Sequence, residues 1–208
     1  QLVKEAWRLG YRGLAVLLAV AWDSQLSPVD ARRLSPGQMR RDPVGVWFEV
    51  ERAKTGRAAL ATLSRRTSAL LAAYLADLAA EPVVTAPMFR NRSGRAYSKD
   101  TLGDDFRDVR AKVLGPHERR QLADFRRSGA TEALAGNVPP EKLSSKMANT
   151  LSASNRLHRT YAPVQLASVR DVDEARRIGR GKLREQKADE SIRAPAQKYP
   201  PPRQGGAK

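Results

Sequence analysis

The sequence predicts an α+β domain, mainly α: a helical bundle carrying one small antiparallel sheet. Three observations predict it. Apolar residues recur at helical spacing in several separate stretches, as in Leu70, Leu71, Tyr74, Leu75 and Leu78. One stretch, 44–51, alternates instead, with Val46, Phe48 and Val50 on one side, and the turn Lys54-Thr55-Gly56 follows it. Gly and Pro cut the chain into segments of helix and strand length.

Each element has its own reason. Residues 11–22 read as a buried helix, because Leu14, Val16, Leu17, Leu18, Val20 and Trp22 leave almost no polar face. A short helix follows Ser27-Pro28-Val29-Asp30: Ser27 suits the cap, and Pro28 suits a first turn that needs no amide donor. The strand at 44–51 and a returning strand at 58–63 make a hairpin near residues 45–63. Ser64 caps a third helix. A loop with Pro82, Pro87 and Asn91-Arg92-Ser93-Gly94 comes next. Ser98 then caps a helix with Leu102, Phe106, Val109 and Val113 on one side, broken by Gly115-Pro116. Residues 118–135 read as a further helix ended by Gly136-Asn137, and Pro139-Pro140 opens a short one to about Ala148. Ser152 or Ser154 caps a helix that reaches Tyr161 and stops at Pro163. Residues 170–190 are mostly charged and read as a solvated helix; from Ser191 the Pro, Gln, Gly and Lys content predicts disorder. The expected division is therefore a folded domain over 1–168 and a charged helix with a disordered tail over 169–208.

Composition narrows the function. The chain has 208 residues and a formal charge of +16, from 38 Lys+Arg against 22 Asp+Glu. Such an excess favours a polyanion through counterion release. The longest apolar run, Leu14 to Trp22, is too short to span a bilayer, and no basic amphipathic helix stands out as an anchor, so no membrane partner is expected. With no cysteine, and with His117 and His158 as the only histidines, a disulfide frame or a zinc site is not expected. No signal peptide is visible, and the expected location is cytoplasmic. The start at Gln1 reads as that of a fragment.

Three residues outline phosphodiester chemistry. Cutting a phosphodiester requires a nucleophile at phosphorus, cations on the nonbridging oxygens and an acid for the leaving oxygen. Tyr161, in Leu157-His158-Arg159-Thr160-Tyr161, offers the first. Arg126, in Ala123-Asp124-Phe125-Arg126-Arg127, offers a planar fork for phosphate. Lys54, at a hairpin tip, offers the acid. Each also has a plainer reading: Tyr161 as a half-buried tyrosine, Lys54 as a turn lysine, Arg126 and Arg127 as phosphate anchors.

Four stretches, in order, resemble the catalytic domain of the tyrosine recombinases, the phage-integrase family. Ser24 to Leu34 resembles its first box, Thr-Gly-Leu-Arg-x-x-Glu-Leu-x-x-Leu; Lys54-Thr55-Gly56 falls where the family keeps a hairpin lysine; Leu122 to Ser128 resembles the His-x-x-Arg box; and Lys146-Met147-Ala148-Asn149 resembles the Gly-His segment, with Tyr161 in the place of the nucleophile. The resemblance implies a tyrosine-recombinase-like fold and cleavage and rejoining of double-stranded DNA through a 3′-phosphotyrosine. It implies several protomers assembled on DNA, no cofactor, and a companion N-terminal DNA-binding domain preceding Gln1.

The departures are as definite. The first-box arginine falls on Ser27, the second-box histidine on Ala123, and the third-box histidine or tryptophan on Asn149. The stretch from Asn149 to Tyr161 is longer than usual by nearly a helical turn; at the usual gap His158 would stand in the tyrosine's place, but the Thr-Tyr-x-Pro ending favours Tyr161. Losing a preorganised cation costs roughly a hundred- to thousandfold in rate. Arg32 and Arg33, five and six positions after Ser27, turn off its face, and Arg33 is the auxiliary candidate. Arg127 and His158 are the others; His158 lies three residues before Tyr161, on the same helical side. His117 with Arg120 offers a second His-x-x-Arg register, without framing apolar positions.

The candidate DNA contacts are Arg40, Arg41, Arg65, Arg66, Arg90, Arg92, Arg95, Arg119, Arg120, Arg156 and Arg159, about half of which are expected to serve solubility alone. Two functions stand: a recombinase, and a catalytically inactive DNA-binding protein on the same scaffold. A basic structural protein unrelated to either is a third.

Overall fold

Residues 1–147 and 166–193 are described by the structure, a computed structural model. The chain is mainly helical with one three-stranded antiparallel sheet. Helix α1 (Leu2–Arg8) and helix α2 (Arg12–Ser24) come first. Helix α1 was not foreseen from sequence. Helix α2 is the centre of the core: Leu14, Val16, Leu17, Leu18 and Val20 are wholly buried, each contributing about 1.5–3 kcal/mol of transfer free energy. It ends on Gln25, a left-handed residue with φ 58°.

Helix α3 (Pro28–Ala31) is one turn long and is capped by Ser27 as expected. A 3₁₀ turn, Pro36–Gln38, leads into strand β1 (Met39–Arg41). Strands β2 (Val46–Glu51) and β3 (Ala58–Thr62) form the expected hairpin. The order is β1-β2-β3, with Phe48 opposite both Met39 and Ala61. Strand β1 escaped the sequence reading because three residues, two of them exposed arginines, show no alternation.

Helix α4 (Arg65–Ala76) and helix α5 (Lys99–Leu114) start where their caps predict. Ser64 Oγ accepts the Thr67 N–H at 3.2 Å, and Ser98 Oγ accepts that of Thr101 at 3.1 Å. Helix α6 (Asp124–Ala135) starts six residues later than the helix expected over 118–135. The reason is local: Glu118 Oε1 accepts the backbone N–H groups of Arg119 and Arg120 at 2.9 and 2.8 Å, and Asp124 Oδ2 accepts that of Gln121 at 2.7 Å. These bonds satisfy the backbone without a helix.

Helix α7 (Pro140–Met147) and helix α8 (Leu166–Arg193) complete the described chain. The mostly charged helix expected to be solvated over 170–190 is so only in part. Val169 and Val172 of α8 are fully buried and Arg176 is 2% exposed, whereas residues 184–189 are exposed. This first half joins Ala133, Val138 and Leu143 in a small second core, separate from the main one. Two glycines allow the approach of α6 and α8. A Cβ at Gly136 would stand 1.9 Å from the Ala175 carbonyl oxygen, and one at Gly179 would stand 1.9 Å from that of Glu132. The expected helix ending at Tyr161, the stop at Pro163 and the tail beyond residue 193 lie outside the described residues.

Candidate active site

The first-box segment contributes a buried acid. Ser27 Oγ accepts the Asp30 N–H at 3.4 Å and donates to Asp30 Oδ2 at 2.5 Å. Asp30 Oδ1 accepts the Ala53 N–H at 2.9 Å, and Arg52 Nε lies 3.0 Å from Asp30 Oδ2. The Asp30 side chain is 2% exposed and that of Arg52 12%, so this pair is largely removed from water. It ties the segment holding Ser27 to the base of the hairpin that carries Lys54.

The second-box residue Arg126 reaches the same place from α6. Its Nη1 donates to the Gln25 carbonyl at 2.5 Å and its Nη2 to the Met147 carbonyl. Arg52 Nη1 also donates to the Met147 carbonyl, at 3.4 Å. Two guanidinium groups thus converge on one carbonyl oxygen at the end of α7. Burial, with the positive charge of Arg52 beside it, pushes Arg126 down from its ordinary value to about 10, and Asp30 opposes the shift. A cationic cluster of this kind can hold a phosphate oxygen by forked charge-assisted bonds. No family model matches this chain, and no curated protein does.

The predicted site residues separate into groups. Ser27 and Arg126 are linked through Asp30, Arg52 and the Met147 carbonyl, with Lys54 exposed at the hairpin tip one residue beyond Ala53. Ala123 is exposed and supplies no polar side chain. Arg127 is exposed and pairs with Asp124 at 3.2 Å. Arg33 is exposed and forms no ion pair among the described residues; Arg32 is held by the Tyr97 carbonyl at 3.2 Å. Tyr161, His158, Asn149, Arg156 and Arg159 lie outside the described residues.

Arg52 was missed from sequence, although a signal existed. Residues 46, 48 and 50 face the core, and the period of two carries Arg52 to the same side. A charge there needs a partner, and Asp30 provides one.

The surface arginines differ in how far they are committed. Arg40 pairs with Glu49 at 2.9 Å and Arg120 with Glu118 at 2.6 Å. Arg92 stacks 4.1 Å over the Tyr11 ring, and Arg90 is half-buried. Arg41, Arg65, Arg66, Arg95 and Arg119 are exposed and form no ion pair among the described residues. Arg65 borders a cavity of about 580 Å³ that Arg170, Arg177 and Arg180 also line; these three are engaged by Asp42, Glu174 and Glu132. Arg90 and Arg92 border a second cavity of similar size with Arg12, which pairs with Asp77.

A buried polar triad is a further finding. Lys146, fully buried, pairs with Asp173 and lies 2.6 Å from Thr62 Oγ1; Thr62 also donates to Asp173. Burial drives the Lys146 pKa down, and Asp173 resists it. The triad fastens α7 and α8 to β3. Among the described residues there is no metal-ligating cluster and no helix long and apolar enough to cross a membrane.

Proposed function

We propose that the chain binds double-stranded DNA and breaks and rejoins it as a recombinase-type domain working in the cytoplasm. One observation supports this reading above the others. Arg126 meets the first-box segment at Gln25, the third segment at Met147 and the hairpin arginine Arg52, although these four positions are far apart in the chain. Their sequence order alone does not require such convergence.

In the proposed reaction the Tyr161 oxygen attacks phosphorus, and His158, three residues earlier in the sequence, would take the phenol proton. The P–O5′ bond breaks as the P–O(Tyr) bond forms. Lys54 gives a proton to the leaving 5′ oxygen, and Arg126 holds the nonbridging oxygens as charge accumulates. The reverse sequence rejoins the strand, so no cofactor enters, and further protomers bound at a second DNA site would cut the partner strand. Exposed arginines such as Arg65, Arg66 and Arg95 would follow the phosphate backbone.

A specific observation favours a second reading, a DNA-binding protein that no longer cuts. Ser27 spends its hydroxyl on Asp30, and Ala123 places no imidazole at the site. Incubation with nicked or half-site duplex, followed by denaturation, separates the two. The recombinase reading expects a covalent protein–DNA adduct that Tyr161→Phe abolishes. DNA binding with no adduct at any site tried would favour the second reading, and an adduct surviving Tyr161→Phe would move the nucleophile elsewhere.

A further inference from the structure

We propose that Arg52 is a second phosphate-binding residue, and that a nonbridging oxygen of a DNA phosphodiester takes the place the Met147 carbonyl oxygen holds between Arg52 and Arg126. The inference rests on the DNA reading above and names a residue that reading does not contain.

Three observations carry it. The Met147 carbonyl is one oxygen accepting from two guanidinium groups, Arg126 Nη2 and Arg52 Nη1. That is the arrangement a phosphate oxygen seeks, and a carbonyl offers it only a partial negative charge. Second, the cations are built in rather than adventitious. Arg52 is 12% exposed and fixed by Asp30, whose carboxylate is in turn fixed by Ser27 and the Ala53 N–H. A fork held this way loses little freedom on binding. Third, Ser27 and Arg52 meet on the same oxygen, Asp30 Oδ2, at 2.5 and 3.0 Å. The Arg52 guanidinium therefore stands beside the position where a first-box arginine would start. The charge absent at position 27 is present, delivered from the hairpin. Burial pushes Arg126 down and the like charge of Arg52 adds to it; an anion between the two would relieve that repulsion.

The exchange is a simple replacement. Phosphate oxygen displaces carbonyl oxygen, and the Met147 carbonyl at the end of α7 moves aside. No bond is made or broken at this stage.

The test is equilibrium binding of the full chain to a nicked duplex over a range of salt, with five variants. Arg52→Gln is expected to weaken binding roughly ten- to hundredfold and to lower the slope of log K against log salt by about one. Arg52→Lys should keep the slope but recover only part of the affinity, since a point charge cannot fork. Ser27→Arg added to Arg52→Gln should restore affinity, whereas Ser93→Arg in the 91–94 turn added to Arg52→Gln should not. Arg52→Gln leaves Asp30 without its partner, so Asp30→Asn/Arg52→Gln, a neutral pair, serves as the folding-safe version and should show the same loss. A folded Arg52→Gln or Asp30→Asn/Arg52→Gln protein with unchanged affinity and slope overturns the assignment while leaving the DNA reading intact. Equal rescue from positions 27 and 93 also overturns it. Wild-type chain that binds no DNA at any salt removes both.

Discussion

The two cores of this molecule are built on different principles. The main core around α2 is nearly all apolar, from Leu14, Leu17 and Leu18 to Phe48, Phe89 and Phe106. The second, where α6, α7 and α8 meet, has few apolar residues, and ions lie against it. Lys146 pairs with Asp173, and Arg176 lies 3.4 Å from Glu132 while donating to the Trp22 and Asp23 carbonyls at 2.6 Å each. An apolar core loses stability in proportion to the area removed. An ionic core loses it when one partner is left behind, because a buried unpaired charge costs more than its pairing gained. Arg126 spans the two regions, with one carbonyl partner, Gln25, at the end of α2 and the other, Met147, at the end of α7.

The sharpest way to break this comparison is to delete Asp173. Asp173→Ala should cost about 3–5 kcal/mol in chemical denaturation by stranding Lys146. That is as much as Leu17→Ala in the main core, about 2–5 kcal/mol, although it removes no apolar contact. The double replacement Lys146→Met/Asp173→Leu should recover most of the loss. If Asp173→Ala is nearly neutral, the second core does not depend on its ions.

A smaller effect is expected at the α6–α8 approach. Gly179→Ala should destabilise by about 1–3 kcal/mol, because its Cβ would meet the Glu132 backbone oxygen, which cannot turn away. A change in thermal midpoint no larger than that of an alanine placed at Gly181, where a Cβ meets nothing, would show that the two helices part freely.

The smallest effect lies at the 118–120 turn between α5 and α6. The Arg120 side chain, with the backbone N–H groups of Arg120 and Arg119, holds the Glu118 carboxyl down at about 2, below its ordinary 4.5. A depressed acid contributes stability above its ordinary value and loses it as pH falls from about 4.5 toward 2. A carboxyl-carbon NMR titration of Glu118 should therefore show a midpoint near 2. A midpoint near 4.5 would mean that the turn is not closed by this side chain.

Legibility in the sequence follows the same division. Helices α2, α4 and α5 and the hairpin were readable because apolar periodicity and Ser64 and Ser98 caps are local signals. The short edge strand β1, helix α1 and the late start of α6 were not: the first lacks alternation, and the last depends on which side chain wins a backbone N–H. The docking of α8 was hidden for another reason. Charged residues such as Arg176 and Asp173 read as solvent-facing until Glu132 and Lys146 are known to stand opposite them. At the candidate site Arg126 was legible as a motif residue, whereas Arg52 depended on continuing the strand's alternation two residues past Val50 and finding Asp30 across from it.

Gln25 has a consequence for how this chain can be altered. It is fully buried, sits at φ 58°, and its amide nitrogen and oxygen have no partner among the described residues. A left-handed non-glycine residue costs of order 1–3 kcal/mol, and an unmet polar group adds to that. Its main chain nonetheless presents the carbonyl that Arg126 grips. The molecule therefore keeps an uncomfortable residue beneath its principal cation, and an engineer seeking heat resistance would find an easy gain there, at the very joint that aims the guanidinium.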